Sequence, residues 1–373
     1  MQGTEGRRPR YDVVVIGAGP AGLGAALVLA RARRPVLVID DGSPRNAPAG
    51  HVHNYLGREG TPPLELLAIG RREVTGYGGE VVTDRVTGTE PLDGGGFRVD
   101  RRDGAPVEAR RLLVTTGLVD RLPDVDGLSE RWGSDVLHCP YCHGWEVRDR
   151  PVAVLATSPL SVHQALLWRQ WTPEVTLILH DAPDPGGDEA DKLAALGIAV
   201  VRGPAAAVEG VHDRGGVDGA GDGVRGVRLA DGRLVPCRHV VVAPRFEARV
   251  DLLAALGVPT ADFVMGDHVL GTHVAVDATG ATAVPGVWAA GNVADPAETV
   301  IGAAAAGLRA AHAINLSLIA EAAEAAVAAR RAGDPAHGDA EQGRPLPSGP
   351  AQGGPGHGDP AQSGRAYGHR HGR

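Results

Sequence analysis

Two of the chain's three cysteines stand two residues apart, in His138-Cys139-Pro140-Tyr141-Cys142-His143-Gly144-Trp145-Glu146, with a histidine on the outer side of each. A C-x-x-C pair closes into a small disulfide ring and reopens, so it can hold or deliver two electrons. The thiolate is the reactive form. A helix N-terminus or a neighbouring imidazolium lowers a cysteine pKa from about 8.5 to roughly 3.5–7.5. Exchange then runs through a mixed disulfide, with one cysteine attacking and the other resolving. The competing uses of such a pair are half of a zinc site and a structural disulfide. Tetrahedral zinc needs two more ligands, usually in a second close-spaced pair. No second C-x-x-C exists and Cys237 stands alone, so the pair reads as redox-active and no metal site is expected.

The elements that must position the pair are legible around it. Tyr11 to Ile16 is a continuous apolar, β-branched run, as in a strand buried on both faces. Gly17-Ala18-Gly19-Pro20-Ala21-Gly22 follows directly, then an Ala/Leu-rich helix over Leu23 to Arg33, then a second strand from Pro35 to Ile39 ending in Asp40. Strand, glycines, helix, strand and acid in this order form a dinucleotide fingerprint. Gly17 serves the tight turn, Gly19 the approach of backbone to a pyrophosphate, Gly22 the close packing of helix on strand, and Asp40 the ribose hydroxyls. A loop with His51, His53, Asn54 and Tyr55 follows, then a helix over Pro62 to Tyr77. Short alternating stretches come next, and a strand over Arg111 to Thr116 that stops at Gly117.

Leu122 to Gly127 reads as a linker into a second unit, with the cysteines just inside it. Pro151 to Ala156 (strand), Leu160 to Arg169 (helix) and Val175 to Leu179 (strand) repeat the βαβ pattern. The turn, however, is Ala156-Thr157-Ser158-Pro159-Leu160-Ser161, without glycines. A Cβ at the second glycine position obstructs a pyrophosphate. The second strand ends in His180-Asp181, a negative side chain where a 2′-phosphate would need arginine. The scaffold of a nucleotide unit is present without its binding chemistry. Val211 to Gly226 reads as a solvated loop and Cys237 as a small core thiol. Val284 to Asn292 is a strand with a polar end, and Thr299 to about Ala329 a helix. The fold class is therefore α/β, with two Rossmann-like three-layer βαβ domains, the second inserted in the first. The expected boundaries are 1–118 and 244–330 for the first domain, 119–243 for the insert, and 331–373 for a disordered, Gly/Pro/His-containing tail.

A length of 373 residues suffices for two domains. A net charge of −8 and the lack of a basic stripe argue against a nucleic-acid binder. The N-terminus lacks the apolar core of a signal peptide. The apolar run near Val300 to Ala328 is broken by Arg309, His312 and glutamates, so it reads as a soluble helix. A reducing cytoplasm is the expected location, where a C-x-x-C is catalytic more often than structural.

The fingerprint, the inserted Cys-Pro-Tyr-Cys-His-Gly-Trp-Glu and the return strand Pro-Gly-Val-Trp-Ala-Ala-Gly-Asn together resemble the low-molecular-weight thioredoxin reductases. Among these, the sequence is most similar to the gliotoxin- and holomycin-type dithiol oxidases. The resemblance covers about Tyr11 to Leu318 and implies a homodimeric FAD enzyme. It implies that Gly17, Gly19, Pro20, Ala21, Gly22 and Asp40 bind the ADP half, with Thr116 and Gly117 on the adenosine side. Gly291 and Asn292 would hold the pyrophosphate and ribityl chain, and Asn54 would contact the cofactor. Asn292 stands where most of these reductases carry aspartate, and Glu298-Thr299-Val300 near an Arg-Gln-Ala flavin contact. By the same resemblance Cys142 lies against the flavin, Cys139 faces the substrate and His138 is the base. The missing glycines and arginines point to electrons running from a substrate dithiol through the cysteines to FAD and oxygen. The competing readings are an NADPH- or ferredoxin-driven thioredoxin reductase acting on a thioredoxin-like partner, and a non-enzymatic flavin redox sensor.

Overall fold

The computed structural model describes residues 10–210 and 223–333. The basic N-terminus, most of the expected loop at 211–226 and the expected disordered tail from residue 334 lie outside them. The chain divides into a compact unit ending at Ala320 and a second unit from Glu321, whose described part is helical as far as Arg331. Among the described residues there are six α-helices: α1 (Pro20–Arg31), α2 (Pro63–Gly76), α3 (Pro140–His143), α4 (Ser161–Trp168), α5 (Gly187–Ala195) and α6 (Val300–Arg331).

The first sheet is built on Arg10–Ile16, which pairs in parallel with Val36–Asp40 on one side and Val107–Val114 on the other. Glu80–Thr83 extends one edge. Phe97–Arg101 and Val86–Pro91 extend the other as an antiparallel pair. Val287–Ala289 returns from far along the chain to pair in parallel with Leu112 to Val114. The run Val13 to Ile16 shows why a continuous apolar strand belongs here. Val13 and Val15 face a core with α1 and α6, while Val14 and Ile16 face a second core with Phe97 and Val99.

A five-stranded, wholly parallel sheet carries the insert, in the order Ala199–Arg202, Val175–Leu179, Val152–Ala156, His239–Val242, Val136–Leu137. It too is buried on both faces. Val152 and Val154 pack with the fully buried Trp168 of α4, and Ala153 and Leu155 with Val227, Val240 and Cys237. Cys237 is a core residue whose pKa burial pushes up to about 12. The sequence marks no strand at Leu118–Arg121. There the chain pairs antiparallel with Arg245–Ala248, so the outgoing and returning connections of the insert are stitched together in a small sheet with Thr260–Met265 and His268–Val274.

Helix α6 is long and apolar enough to cross a membrane by length and composition. Its face of Ala303, Gly307, Ala310, Ala311, Ile314 and Leu318 is nevertheless buried in the core shared with α1. Small residues let the two helices approach closely. A Cβ on Gly307 would lie 1.9 Å from the Ala21 carbonyl oxygen. Overpacking of this kind costs about 1–3 kcal/mol, more than the roughly 1 kcal/mol gained in helix propensity on replacing glycine. Gly307→Ala is therefore expected to lower stability by up to about 2 kcal/mol, read as a lower midpoint in urea denaturation.

Candidate active site

Helix α3 is one turn long and exists to present the cysteines. Pro140 fills its first position, where a missing N–H does no harm. Cys139 is the extended N-cap residue (φ −92°, ψ 117°). The Cys142 N–H donates to the Cys139 carbonyl at 3.2 Å, and the two Sγ atoms lie 2.9 Å apart. The pair behaves as one acid. Cys139 is lowered to about 7, first because the Cys142 thiol donates to it, then because the backbone N–H groups of Cys142 and Tyr141 and the Arg45 charge stabilise its thiolate against burial. Cys142 is pushed strongly up, since its proton is held by the Cys139 sulfur and burial penalises a second negative charge.

His138 precedes the pair. Its Nδ1 lies 3.1 Å from the Val242 carbonyl oxygen, at the end of the neighbouring parallel strand. A carbonyl only accepts, so Nδ1 carries the hydrogen and Nε2 is left with a lone pair. The Phe246 ring packs edge-on, 5.7 Å between centroids. Burial holds the imidazole pKa below its ordinary value, with Arg45 acting in the same sense and Asp120 opposing. His143 is also lowered by burial, and no residue of the described chain bonds it in a way that marks it as a base.

Arg45 and Asp120 join the candidate site, and sequence reading misses both. Arg45 forms a fork on Asp120, 2.8 and 2.7 Å, lies over the Phe246 ring at 5.5 Å and reaches Asn292 Oδ1 at 3.4 Å. A lone arginine in a turn-rich loop carries no spacing signal. Asn54 comes to the same place, its Nδ2 donating to the Tyr141 carbonyl at 2.7 Å, so it tethers the cysteine turn. His53 beside it is held between Glu59 at 2.6 Å and Glu146 at 3.4 Å. Tyr141 and Trp145 stand exposed on the solvent side of the pair, Tyr141 edge-on to Trp171.

The glycine turn lies on the first sheet. A Cβ on Gly17 would meet the Thr115 carbonyl oxygen at 2.5 Å, and one on Gly22 the Gly17 oxygen at 2.0 Å. Gly19, the N-cap of α1, has nothing within 4 Å and contributes no side chain. Pro20 and Ala21 begin the helix, and Gly291 lies against Ala21. Asp40 accepts from the Ala18 N–H at 2.8 Å and the Gly42 N–H at 3.1 Å, and is ion-paired with Arg71. An open helix N-terminus, two positions closed to any side chain and a carboxylate at the next strand end fit a dinucleotide. Thr116 donates to the Arg249 carbonyl at 2.8 Å next to Gly117, in the connection between the sheets. Asn292 spends its Nδ2 on the Asp295, Pro296 and Glu298 carbonyls ahead of α6.

The corresponding turn of the insert is closed on itself. The Thr157 N–H donates to Ser161 Oγ and the Thr157 hydroxyl to the Ala243 carbonyl, both at 3.2 Å. His180 Nδ1 accepts from the Ala205 N–H at 3.0 Å and its Nε2 faces Asp181 at 3.1 Å. These residues do not form a phosphate cradle. Among the described residues, no group of three or more His, Cys, Asp or Glu side chains could hold a metal ion.

In reduced protein under argon, iodoacetamide is expected to alkylate Cys139 ahead of Cys142. The rate should rise through a midpoint near pH 7, where the thiolate of Cys139 forms. Arg45→Met removes a neighbouring positive charge and should move that midpoint upward, read by mass spectrometry of the alkylated peptide across pH.

Residues 11–307 match the family described as pyridine nucleotide-disulphide oxidoreductase. The crystal structure of HlmI superposes with a TM-score of 0.76 at 44% identity, covering 87% of this chain and 97% of that one. An oxidoreductase from Agrobacterium tumefaciens gives 0.74 at 34% identity, covering 83% and 99%. Thioredoxin reductase tcpT of Claviceps purpurea is 35% identical over 164 residues, 42% of this chain and 50% of that protein. The first fungal relatives are thus matched over 39% to 50% of their own length. With most of the described chain inside the match, the protein belongs to the pyridine nucleotide-disulphide oxidoreductase family.

Proposed function

We propose that the chain is an FAD-dependent thiol–disulfide oxidoreductase that oxidises a small-molecule dithiol to its disulfide, working as a homodimer. The observation that carries this reading is the asymmetric cysteine pair beside a neutral histidine, set against a second nucleotide turn closed by its own hydrogen bonds. The family is flavin-dependent, and the Gly17–Gly22 turn, Asp40 and Gly291 would hold the cofactor. When bound, FAD supplies the two-electron acceptor that returns the cysteine pair to its disulfide and hands the electrons to oxygen, giving hydrogen peroxide.

The chain's own residues account for the thiol half of the reaction. His138 Nε2 takes the proton of an incoming substrate thiol. The substrate thiolate bonds to Cys139 Sγ, the Cys139–Cys142 bond breaks, and Cys142 leaves and takes up a proton. His138 passes that proton to Cys142 and then takes the proton of the second substrate thiol, which attacks the substrate sulfur of the mixed disulfide and expels Cys139, the sulfur to which this proton passes. A low-pKa thiol leaves faster, so the same N–H groups and Arg45 that lower Cys139 make it a good leaving group. The substrate loses two electrons and two protons, and the pair gains them.

A second reading, NADPH-driven reduction of a thioredoxin-like protein, is supported by the relatives named thioredoxin reductase and by the exposed Tyr141 and Trp145 beside the cysteines. Anaerobic titration separates the two. Dithiothreitol should bleach the yellow protein, NADPH should not, and air should restore the colour. Rapid stoichiometric bleaching by NADPH would transfer the assignment to the second reading. Cys139→Ser should abolish dithiol oxidation. His138→Gln should lower kcat/KM about 10²–10⁴-fold, the range for a general base. The sign of the pH dependence follows from the lowered His138 pKa. The base works when neutral, so the rate should fall only as pH drops below the ordinary histidine value of about 6.5.

A further inference from the structure

We propose that Gln164 of α4 is a positioning residue for His138, so that the helix which would face a nucleotide phosphate in a glycine-bearing βαβ unit here braces the catalytic turn. This rests on His138 being the base. Gln164 is buried in the first turn of α4. Its Nε2 donates to the His138 carbonyl at 3.2 Å and lies 3.4 Å from His138 Nδ1. Its Oε1 is buried without a partner. The amide orientation follows the shorter contact: exchanging O and N would set two acceptors against each other at the His138 carbonyl, 3.2 Å away, in return for the longer 3.4 Å approach to Nδ1–H.

Three contacts then act on one residue, His138. Val242 takes the Nδ1 hydrogen, Gln164 holds the carbonyl that precedes Cys139, and the Phe246 ring closes the side. The glycine-free turn before α4 contributes to the same bracing, because Thr157 bonds Ala243, the residue after Val242. Ser161, at the start of α4, accepts from the Thr157 N–H. The charged groups that face His138 are Arg45, from the loop after Val36–Asp40, and Asp120, from Leu118–Arg121. They oppose one another and are bonded together. Gln164 is the neutral polar group on the remaining side, and its replacement by glutamate is nearly isosteric.

The test uses flavin-loaded enzyme with dithiothreitol as substrate. Gln164→Glu places a carboxylate beside Nδ1–H, which favours the imidazolium, and withdraws the donor from the His138 carbonyl, so kcat should fall as well. The acid limb of the kcat/KM profile should move up by about one pH unit, with flavin content unchanged. Gln164→Leu removes the tether without adding charge, and should lower kcat about tenfold to a hundredfold while leaving KM and the limb in place. In wild-type protein labelled with ¹⁵N-histidine, the resonance lost in His138→Gln should report the Nδ1–H tautomer at neutral pH. That measurement needs no activity and no folded Gln164 variant. A Gln164→Glu limb that does not move while His138→Gln is crippled overturns this proposal and spares the base assignment, whereas a His138 found as the Nε2–H tautomer overturns both. A His138→Gln enzyme at full rate overturns the base assignment itself.

Discussion

A proton shared across 2.9 Å between Cys139 and Cys142 sets the terms for the whole site. Two sulfurs at that separation cannot both ionise in a half-buried setting, so one must be the thiolate and the other the acid. The choice is made by geometry. Cys139 sits where a helix presents its unpaired N–H groups, and Cys142 one turn inside it. The surroundings keep that one-turn helix from unwinding, since four residues are far too few to form a helix unaided. Asn54 holds the Tyr141 carbonyl, Gln164 the His138 carbonyl, and Val242 the His138 ring. Each tether comes from a different part of the chain, and each takes hold of a residue in or just before the turn.

Arg45 illustrates how charge is distributed around this proton. Exposed ion pairs contribute little, but the Asp120 carboxylate is nearly buried and receives both arms of the guanidinium. The pair holds a positive charge near Cys139 and at the same time joins the first sheet's loop to the small sheet that carries the insert's connections. Electrostatics and architecture rest on the same two side chains.

Much of this was legible in the sequence. The run Tyr11 to Ile16 read as a doubly buried strand because nothing in its apolar part alternates, and from Val13 on it is buried on both faces. The glycine turn was readable because each glycine has its own steric reason. The helix from Thr299 was readable from its long apolar run broken by Arg309, His312 and glutamates. What stayed hidden is long-range and singular. Arg45 with Asp120, Asp40 with Arg71 and Gln164 with His138 are single side chains that meet only after the sheets are assembled, and no periodicity or motif reports them. Leu118–Arg121 escaped for a related reason. A four-residue strand whose partner lies more than a hundred residues away has no local signature. Asn54 was expected at the cofactor because its loop was. The bond to Tyr141 depends on its left-handed backbone (φ +60°), which sequence alone does not specify.

The return of Val287–Ala289 to pair with Leu112 to Val114 imposes an order on how the protein is made. On the ribosome, Arg10–Ile16 emerges early with its glycine turn, yet one edge of its sheet waits for residues synthesised some 170 positions after Val114. The insert's parallel sheet, whose strands all lie between Val136 and Val242, is whole before that happens. The nascent chain therefore carries a finished cysteine-bearing layer while the glycine turn still lacks Gly291 and the α6 face that packs on α1. Contacts of such long sequence separation form slowly, and exposed strand edges invite aggregation while they wait. Chaperone demand and cofactor capture should both fall in the interval between the two.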